Sequence, residues 1–277
     1  MKISIVTPTF NSLTYLKRNI LSVNDQQTNA EIEHIIIDGS SKDGTPEFLL
    51  GLKDNSNLTW ISETDRGMYH ALNKGLEMAT GEIIGHLNSD EQYLPGALDT
   101  VRQIFEENSK IDIIYGHCVF INPDGTPVCF RKSYTPKWYL IRASYLYLMT
   151  GSIFFRRKII DHGFRYAENL KSIGDEEFFC SILQSGIKGK VIDHYFTAFT
   201  MTGSNLMLKP VSFDEIKGRK LPWWIRYFKP FINAIRILIR VIEGGYREKL
   251  PLEYRIYTEG SSERKPFLIT EQRYTYI

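Results

Sequence analysis

Residues 63–91 read ETDRGMYHALNKGLEMATGEIIGHLNSDE, and this stretch decides the fold. Met68 to Ala79 reads as a helix stopped by Gly81. Ile83-Ile84 opens a strand that runs to Leu87, and Asn88-Ser89-Asp90-Glu91 follows as an acidic loop. A helix that feeds a buried strand, with polar residues at the strand's carboxyl end, is one unit of an alternating α/β sheet. The same unit recurs upstream. Ile3 to Val6 is a β-branched run ending at Thr7-Pro8. Asn11 to Asn24 carries Leu13, Leu16, Ile20 and Val23 at helical spacing. Ile35-Ile36-Ile37 is a second strand, closed by the loop Asp38 to Gly44. Thr45-Pro46 reads as a helix cap with proline at the first helical position. Leu58 to Ile61 is a third strand. Downstream, Leu94 to Glu107 is a helix and Ile111 to Tyr115 a strand. Short loops join these elements, which predicts a parallel sheet with helices on both faces and ligands at the carboxyl ends of its strands.

Beyond Tyr115 the pattern changes. A hairpin is expected around Asn122-Pro123-Asp124-Gly125, a short helix over Glu176 to Leu183 and a strand over Val191 to Met201. The chain has 277 residues with 43% hydrophobic and 24% charged residues, enough for one large α/β domain and an appendage. The three cysteines form no close pair, which argues against a disulfide framework or zinc site. The start MKISIVTPTF reads as a strand and not as a secretory leader. No uncharged apolar stretch of about 18 residues suggests a membrane span. Residues 206–277 hold 14 Lys/Arg against 8 Asp/Glu, and the other 205 hold 20 against 24. A basic segment on a mildly acidic body suggests contact with an anionic surface.

Several side chains suit nucleotide and metal chemistry. A carboxylate at Asp38 can accept a nucleobase N–H, though it could equally staple an Asx-turn. Asp90 or Glu91 beside a strand end suits Mg²⁺ or Mn²⁺, which take oxygen ligands and often only one or two carboxylates plus diphosphate oxygens. Arg66, Tyr69, His70, Asn73 and Lys74 share a helical face that could hold a sugar diphosphate. Asp175, Glu176 and Glu177 are adjacent, so their spacing does not choose a general base among them. The remaining histidines show no metal-ligand spacing.

VTPTFN at 6–11, DGSSKDGT at 38–45, the 63–91 block and GDEEF at 174–178 resemble glycosyltransferase family 2 in order and spacing, over roughly residues 2–205. That resemblance implies a GT-A fold, a nucleotide-sugar donor, a divalent cation and inversion at the anomeric carbon. By position it sets Thr7 and Pro8 against the base, with Asp38 binding it and Asp65 near base and ribose. Asn73, Lys74, Asn88 and Ser89 would serve the donor, Asp90 the metal, and Asp175 would be the acceptor-activating base. Three departures stand out: Asn88 for the first acid of Asp-x-Asp, Glu91 for a common Asp, and His70 where Asp is usual. Met201 to Ser204 matches the family's Gly-Gly-x-Ser ending only loosely.

The expected organisation is a GT-A domain over 1–205 and a C-terminal basic amphipathic helix and tail over 206–277. In Trp223 to Ile242, Arg226, Lys229, Asn233, Arg236 and Arg240 form one stripe, broken or restarted at Pro230. A helix in the membrane interface fits that pattern, against packing on the domain or on a second subunit as a homo-oligomer. The acceptor would be a saccharide or lipid-linked saccharide, the setting bacterial cell-surface polysaccharide synthesis. The expected location is cytoplasmic, peripheral on the inner membrane face, and nothing calls for nucleic acid. A nucleotidyltransferase or dehydrogenase would need a glycine-rich phosphate loop after the first strand, which Thr7 to Asn11 do not supply. An inactive nucleotide-sugar-binding scaffold of the same fold is the alternative, favoured only by Asn88 and His70.

Overall fold

The structure, a computed structural model, describes residues 1–53, 55–203, 205 and 210–273. Ser204, the end of the loose Gly-Gly-x-Ser match, and residues 206–209 lie outside them. The elements run β1 (Lys2–Thr9), α1 (Leu13–Asn24), β2 (Glu31–Asp38), α2 (Thr45–Leu50), β3 (Leu58–Ser62), α3 (Met68–Met78), β4 (Ile83–His86), β5 (Glu91–Tyr93) and α4 (Ala97–Glu107). Then come β6 (Ile113–Ile121), β7 (Pro127–Arg131), α5 (Trp138–Ala143), β8 (Ile153–Arg156), α6 (Lys158–Asp161), α7 (Gly174–Gln184), β9 (Gly189–Thr200), α8 (Pro210–Gly218), α9 (Trp223–Ile242), β10 (Leu252–Ile256) and β11 (Lys265–Ile269).

Among the described residues nine strands form one sheet in the order β3-β2-β1-β4-β8-β6-β9-β5, with β7 on β6. The half β3-β2-β1-β4 is parallel. Antiparallel β8 joins it to β6, which pairs β9 in parallel. Alternate residues of β1 pack to opposite faces: Ile3 and Ile5 on one, Val6 on the other. The α3 helix lies so close to β1 that a Cβ on Gly75 would sit 2.3 Å from Val6 Cγ1, so only glycine fits there. The strand ends come level, Thr9 opposite Asp38 and Asp38 opposite Ser62. Because chain connections diverge from β1 to either side, these ends leave a crevice at the switch point.

The structure corrects several expectations. The cap of α2 is Gly44, with Thr45 already helical; Thr45 instead donates its hydroxyl to Asp43 (2.7 Å). Glu91 lies in strand β5 and is fully buried, because pairing with Phe199 of β9 turns it inward. The strand from Ile111 extends to Ile121. Helix α9 runs unbroken through Pro230. That proline is exposed, so the carbonyl its missing N–H leaves free can face water.

The segment after α9 is no loose tail. Strands β10 and β11 pair with each other and pack Tyr254, Ile256 and Ile269 against Val119, Ile121 and Phe130. Arg264 donates to both oxygens of Asp25 (2.5 and 2.6 Å). Part of the basic charge of this segment is therefore spent within the molecule. All three cysteines are free and buried; Cys118 faces Arg131 across the hairpin, and Cys129 faces Phe120.

Candidate active site

A cavity of about 810 Å³ opens at the carboxyl ends of the parallel strands. Pro8, Thr9 and Phe10 enter its wall from the end of β1, Gly39 from β2, Asp65 from the β3–α3 loop, and Asn88, Ser89 and Asp90 from the loop after β4. Asp175, in the first turn of α7, lines the same space. Of the residues singled out in the sequence, Pro8, Asp65, Asn88, Ser89, Asp90 and Asp175 meet here. Thr7, Asp38, Asn73 and Lys74 do not line the cavity.

The four exceptions have partners that explain their direction. Thr7 is fully buried, its hydroxyl 2.9 Å from Nε2 of His34; burial pushes that imidazole down to about 3, so it is neutral. Asp38, also fully buried, accepts the Ser41 N–H (3.1 Å), the Ser41 hydroxyl (2.5 Å) and the Ser62 hydroxyl (2.6 Å). Its carboxylate staples the loop whose Gly39 reaches the cavity. The Asn73 amide is used up by the backbone of Tyr166 and by Glu168. Lys74 bridges Glu63 and Asp65, 2.6 Å from each.

Asp65 is therefore held rather than loose. Its Oδ1 receives Lys74 Nζ and lies 2.9 Å from His70 Nδ1. Its Oδ2 is buried without a partner, an acceptor whose desolvation is uncompensated until a ligand N–H or O–H meets it. His70 is half-buried against Asp65. Phe10 is 65% exposed and offers an aromatic face at the same wall.

Asn88 is fixed on three sides. Its side-chain oxygen lies 2.9 Å from His86 Nε2, its N–H donates to Glu91 Oε2 (2.8 Å), and its carbonyl accepts from Asn19 (2.9 Å). Burial pushes His86 down to about 4, so the pair is neutral. Asp90 accepts a hydrogen bond from Asn205 (3.0 Å). Among the described residues no Lys, Arg or His pairs with it, and burial raises its carboxyl to about 6. Such a carboxylate fits a hard divalent cation whose charge would compensate it. No group of three His, Cys, Asp or Glu gathers among the described residues; one or two carboxylates suffice where diphosphate oxygens complete the shell.

The three acids of α7 differ in what they touch. Glu177 is engaged by Arg142, and Glu176 by Arg219 and, at 3.5 Å, Arg142. Among the described residues Asp175 accepts the Glu176 N–H (2.9 Å) and the Tyr69 hydroxyl (3.2 Å), and no arginine engages it. Burial raises it to about 6, a value suited to a base near neutrality. A Cβ on Gly174 would lie 2.6 Å from the Tyr69 ring, so the glycine before Asp175 permits that contact. Phe10 and Tyr69 belong to quoted motifs and were legible as positions. Asn205, Glu215 and Arg219 carried no signal, since their partners lie about 40 to 115 residues away in sequence.

Fold and site together define an α/β protein with an acid-lined cavity at the carboxyl ends of its parallel strands. The family model for glycosyl transferase family 2 matches residues 4–164, and the chain belongs to that family. It is 36% identical over 104 residues to an uncharacterized glycosyltransferase of Mycobacterium tuberculosis, covering 38% of each protein. It is 31% identical over 121 residues to the GalNAc(5)-diNAcBac-PP-undecaprenol beta-1,3-glucosyltransferase of Campylobacter jejuni, covering 43% of this chain and 38% of that one. The matches thus span well under two thirds of these curated relatives. Residues 1–349 of Staphylococcus aureus TarS, solved in complex with UDP, superpose with a TM-score of 0.61 at 22% identity, over 88% of this chain and 72% of that one. The fold is accordingly GT-A.

Proposed function

We propose that the chain transfers a sugar, with inversion, from a nucleotide-sugar donor to an acceptor hydroxyl. The observation that carries this reading is the state of Asp175: a cavity-facing carboxyl raised to about 6 by burial, beside two glutamates already engaged by arginines. A hydroxyl is a poor nucleophile at neutral pH, and a carboxylate opposite the leaving group takes its proton during in-line attack. Phe10, Gly39 and the free oxygen of Asp65 would hold the nucleoside. Asp90 would hold Mn²⁺ or Mg²⁺, which when bound neutralises charge developing on the departing diphosphate. Asn88, with Ser89 beside it, keeps the Asp90 loop in place through His86, Glu91 and Asn19 without adding a second negative charge. An inactive binding role is disfavoured because Asp175 lines the cavity and, unlike the two glutamates beside it, is engaged by no arginine among the described residues.

The acceptor proposed is a lipid-linked saccharide, the class in the name of the Campylobacter relative, with the protein peripheral on the inner face of the membrane. The exposed apolar face of α9 supports that placement. We assign residues 1–205 to the catalytic unit and 206–277 to the accessory segment. The test is nucleoside diphosphate release from a donor panel with Mn²⁺. The wild type should release it and Asp90→Ala should fall to background; equal release by Asp90→Ala in excess chelator removes both the metal and its ligand from the account.

A further inference from the structure

Two side chains at α8 hold the chain on either side of Asp175, Glu215 through backbone N–H groups before it and Arg219 through the Glu176 carboxylate after it. Glu215 accepts the N–H groups of Lys171 (2.7 Å), Ser172 (2.9 Å) and Ile173 (3.2 Å), the three residues that lead into α7. Amides at a helix start lack intrahelical partners and favour a negative group, and α7 has no capping side chain of its own. Arg219, just past the end of α8, donates to Glu176, the residue after Asp175, and to the Ser144 carbonyl (3.2 Å). Arg219 and Glu176 are 4% and 3% exposed at their side chains, so neither has water as an alternative partner. Asp175 thus sits between two anchored points of the chain. On the same helix, Phe213 and Ile216 line the cavity.

We propose that Glu215 and Arg219 are positioning residues that fix where the Asp175 carboxylate stands relative to the acceptor hydroxyl. This rests on Asp175 being the base. Neither residue touches the reacting atoms. Their effect passes through the backbone of 171–173 and through Glu176. Attack geometry is demanding, and a misplacement of about 1 Å can cost about a hundredfold. The arrangement also links cavity filling to base placement, because the helix that holds the base contributes part of the wall.

The test compares Glu215→Ala, Arg219→Met and Arg219→Lys with wild type, reading kcat, donor KM, the pH profile and amide hydrogen exchange. Glu215→Ala should lower kcat about tenfold to a hundredfold, leave donor KM nearly unchanged and speed exchange at 171–173. Arg219→Met should lower kcat similarly and move the acid limb of kcat/KM to higher pH. Glu176 would lose a cation that offsets its charge, which disfavours the charged form of Asp175. Arg219→Lys should restore much of the rate. Unchanged kcat in Glu215→Ala and Arg219→Met overturns the proposal. So does a loss of kcat and donor affinity together that Arg219→Lys does not rescue, the mark of a purely structural role. If wild type turns over no donor, the functional reading fails, and exchange at 171–173 still decides whether α8 holds the segment before α7.

Discussion

Asp175 is one of three consecutive acids, and its surroundings separate it from the other two. The carboxyl is raised to about 6 chiefly by burial, and a base must be deprotonated to work. The rate should therefore rise with pH through about 6 and level off above it. A pH profile of kcat/KM measures this, and a limb near the ordinary carboxylate value of 3.8 would mean that the working base is solvated and is another group. Asp65 makes a second prediction. Its unpartnered oxygen should meet the nucleoside, so Asp65→Ala should weaken nucleoside diphosphate binding about tenfold or more in calorimetry. Unchanged affinity would mean that Asp65 only anchors His70 and Lys74. These residues were legible as positions because Asp65 stands in the loop between a strand and a helix and Asp175 in the first turn of a helix. Their directions were not legible. Asn73 and Lys74 share a helical face with Tyr69, yet the loop at Tyr166 and Glu168 and the Glu63–Asp65 pair claim them. The contacts of Asn73 cross more than 90 residues and leave no local pattern.

Among elements, β1 to β4 and α4 could be read because apolar strands alternate with amphipathic helices, each punctuated by Gly, Asp or Asn. The antiparallel insertion of β8, the short β5 and the hairpin β10–β11 could not, since pairing partner and direction are set by distant chain. Helix α9 shows a subtler gap. Its polar stripe was legible, but Arg236 and Arg240 turn inward: Arg236 donates to Tyr134 (3.0 Å), and Arg240 stacks 4.0 Å from the Tyr246 ring centroid. Stacked arginines of this kind bury well. The apolar side is the one left out, with Trp223 77%, Tyr227 76% and Ile242 73% exposed, and with exposed Arg226 and Lys229 near the amino end. Aromatics with flanking cations suit an anionic bilayer surface. The full chain should sediment with vesicles containing anionic lipid, less so at raised salt, and Trp223→Ser/Tyr227→Ser should stay in solution. Vesicle-independent dimerisation abolished by the same changes would assign this face to a second copy instead. No helix among the described residues is long and apolar enough to cross a membrane.

At the scale of the whole molecule, the cavity lies at the carboxyl ends of the parallel strands, and a fully buried acid stands on β5, the last strand of the sheet order. Glu91 is fully buried, with Oε1 unpartnered and its carboxyl raised from 4.5 to about 8 by burial first and Asp90 second. A raised acid binds more protons folded than unfolded, so its contribution is full below about 4.5 and is lost as pH rises toward about 8. Glu91→Gln should flatten the decline in thermal stability across that window, read by melting temperature against pH. A wild type whose stability rises with pH throughout would show that Glu91 is ionised in the fold. In the proposed reaction one cavity binds a nucleotide sugar, and Asp175 activates the acceptor that attacks it. The most direct measurement sets Asp175→Asn beside wild type with Mn²⁺, recording nucleoside diphosphate release across a donor panel and nucleotide affinity by calorimetry. The predicted result is a turnover lower by about 10²–10⁴ with affinity preserved, whereas full turnover in Asp175→Asn, or no nucleotide binding by either protein, would contradict it.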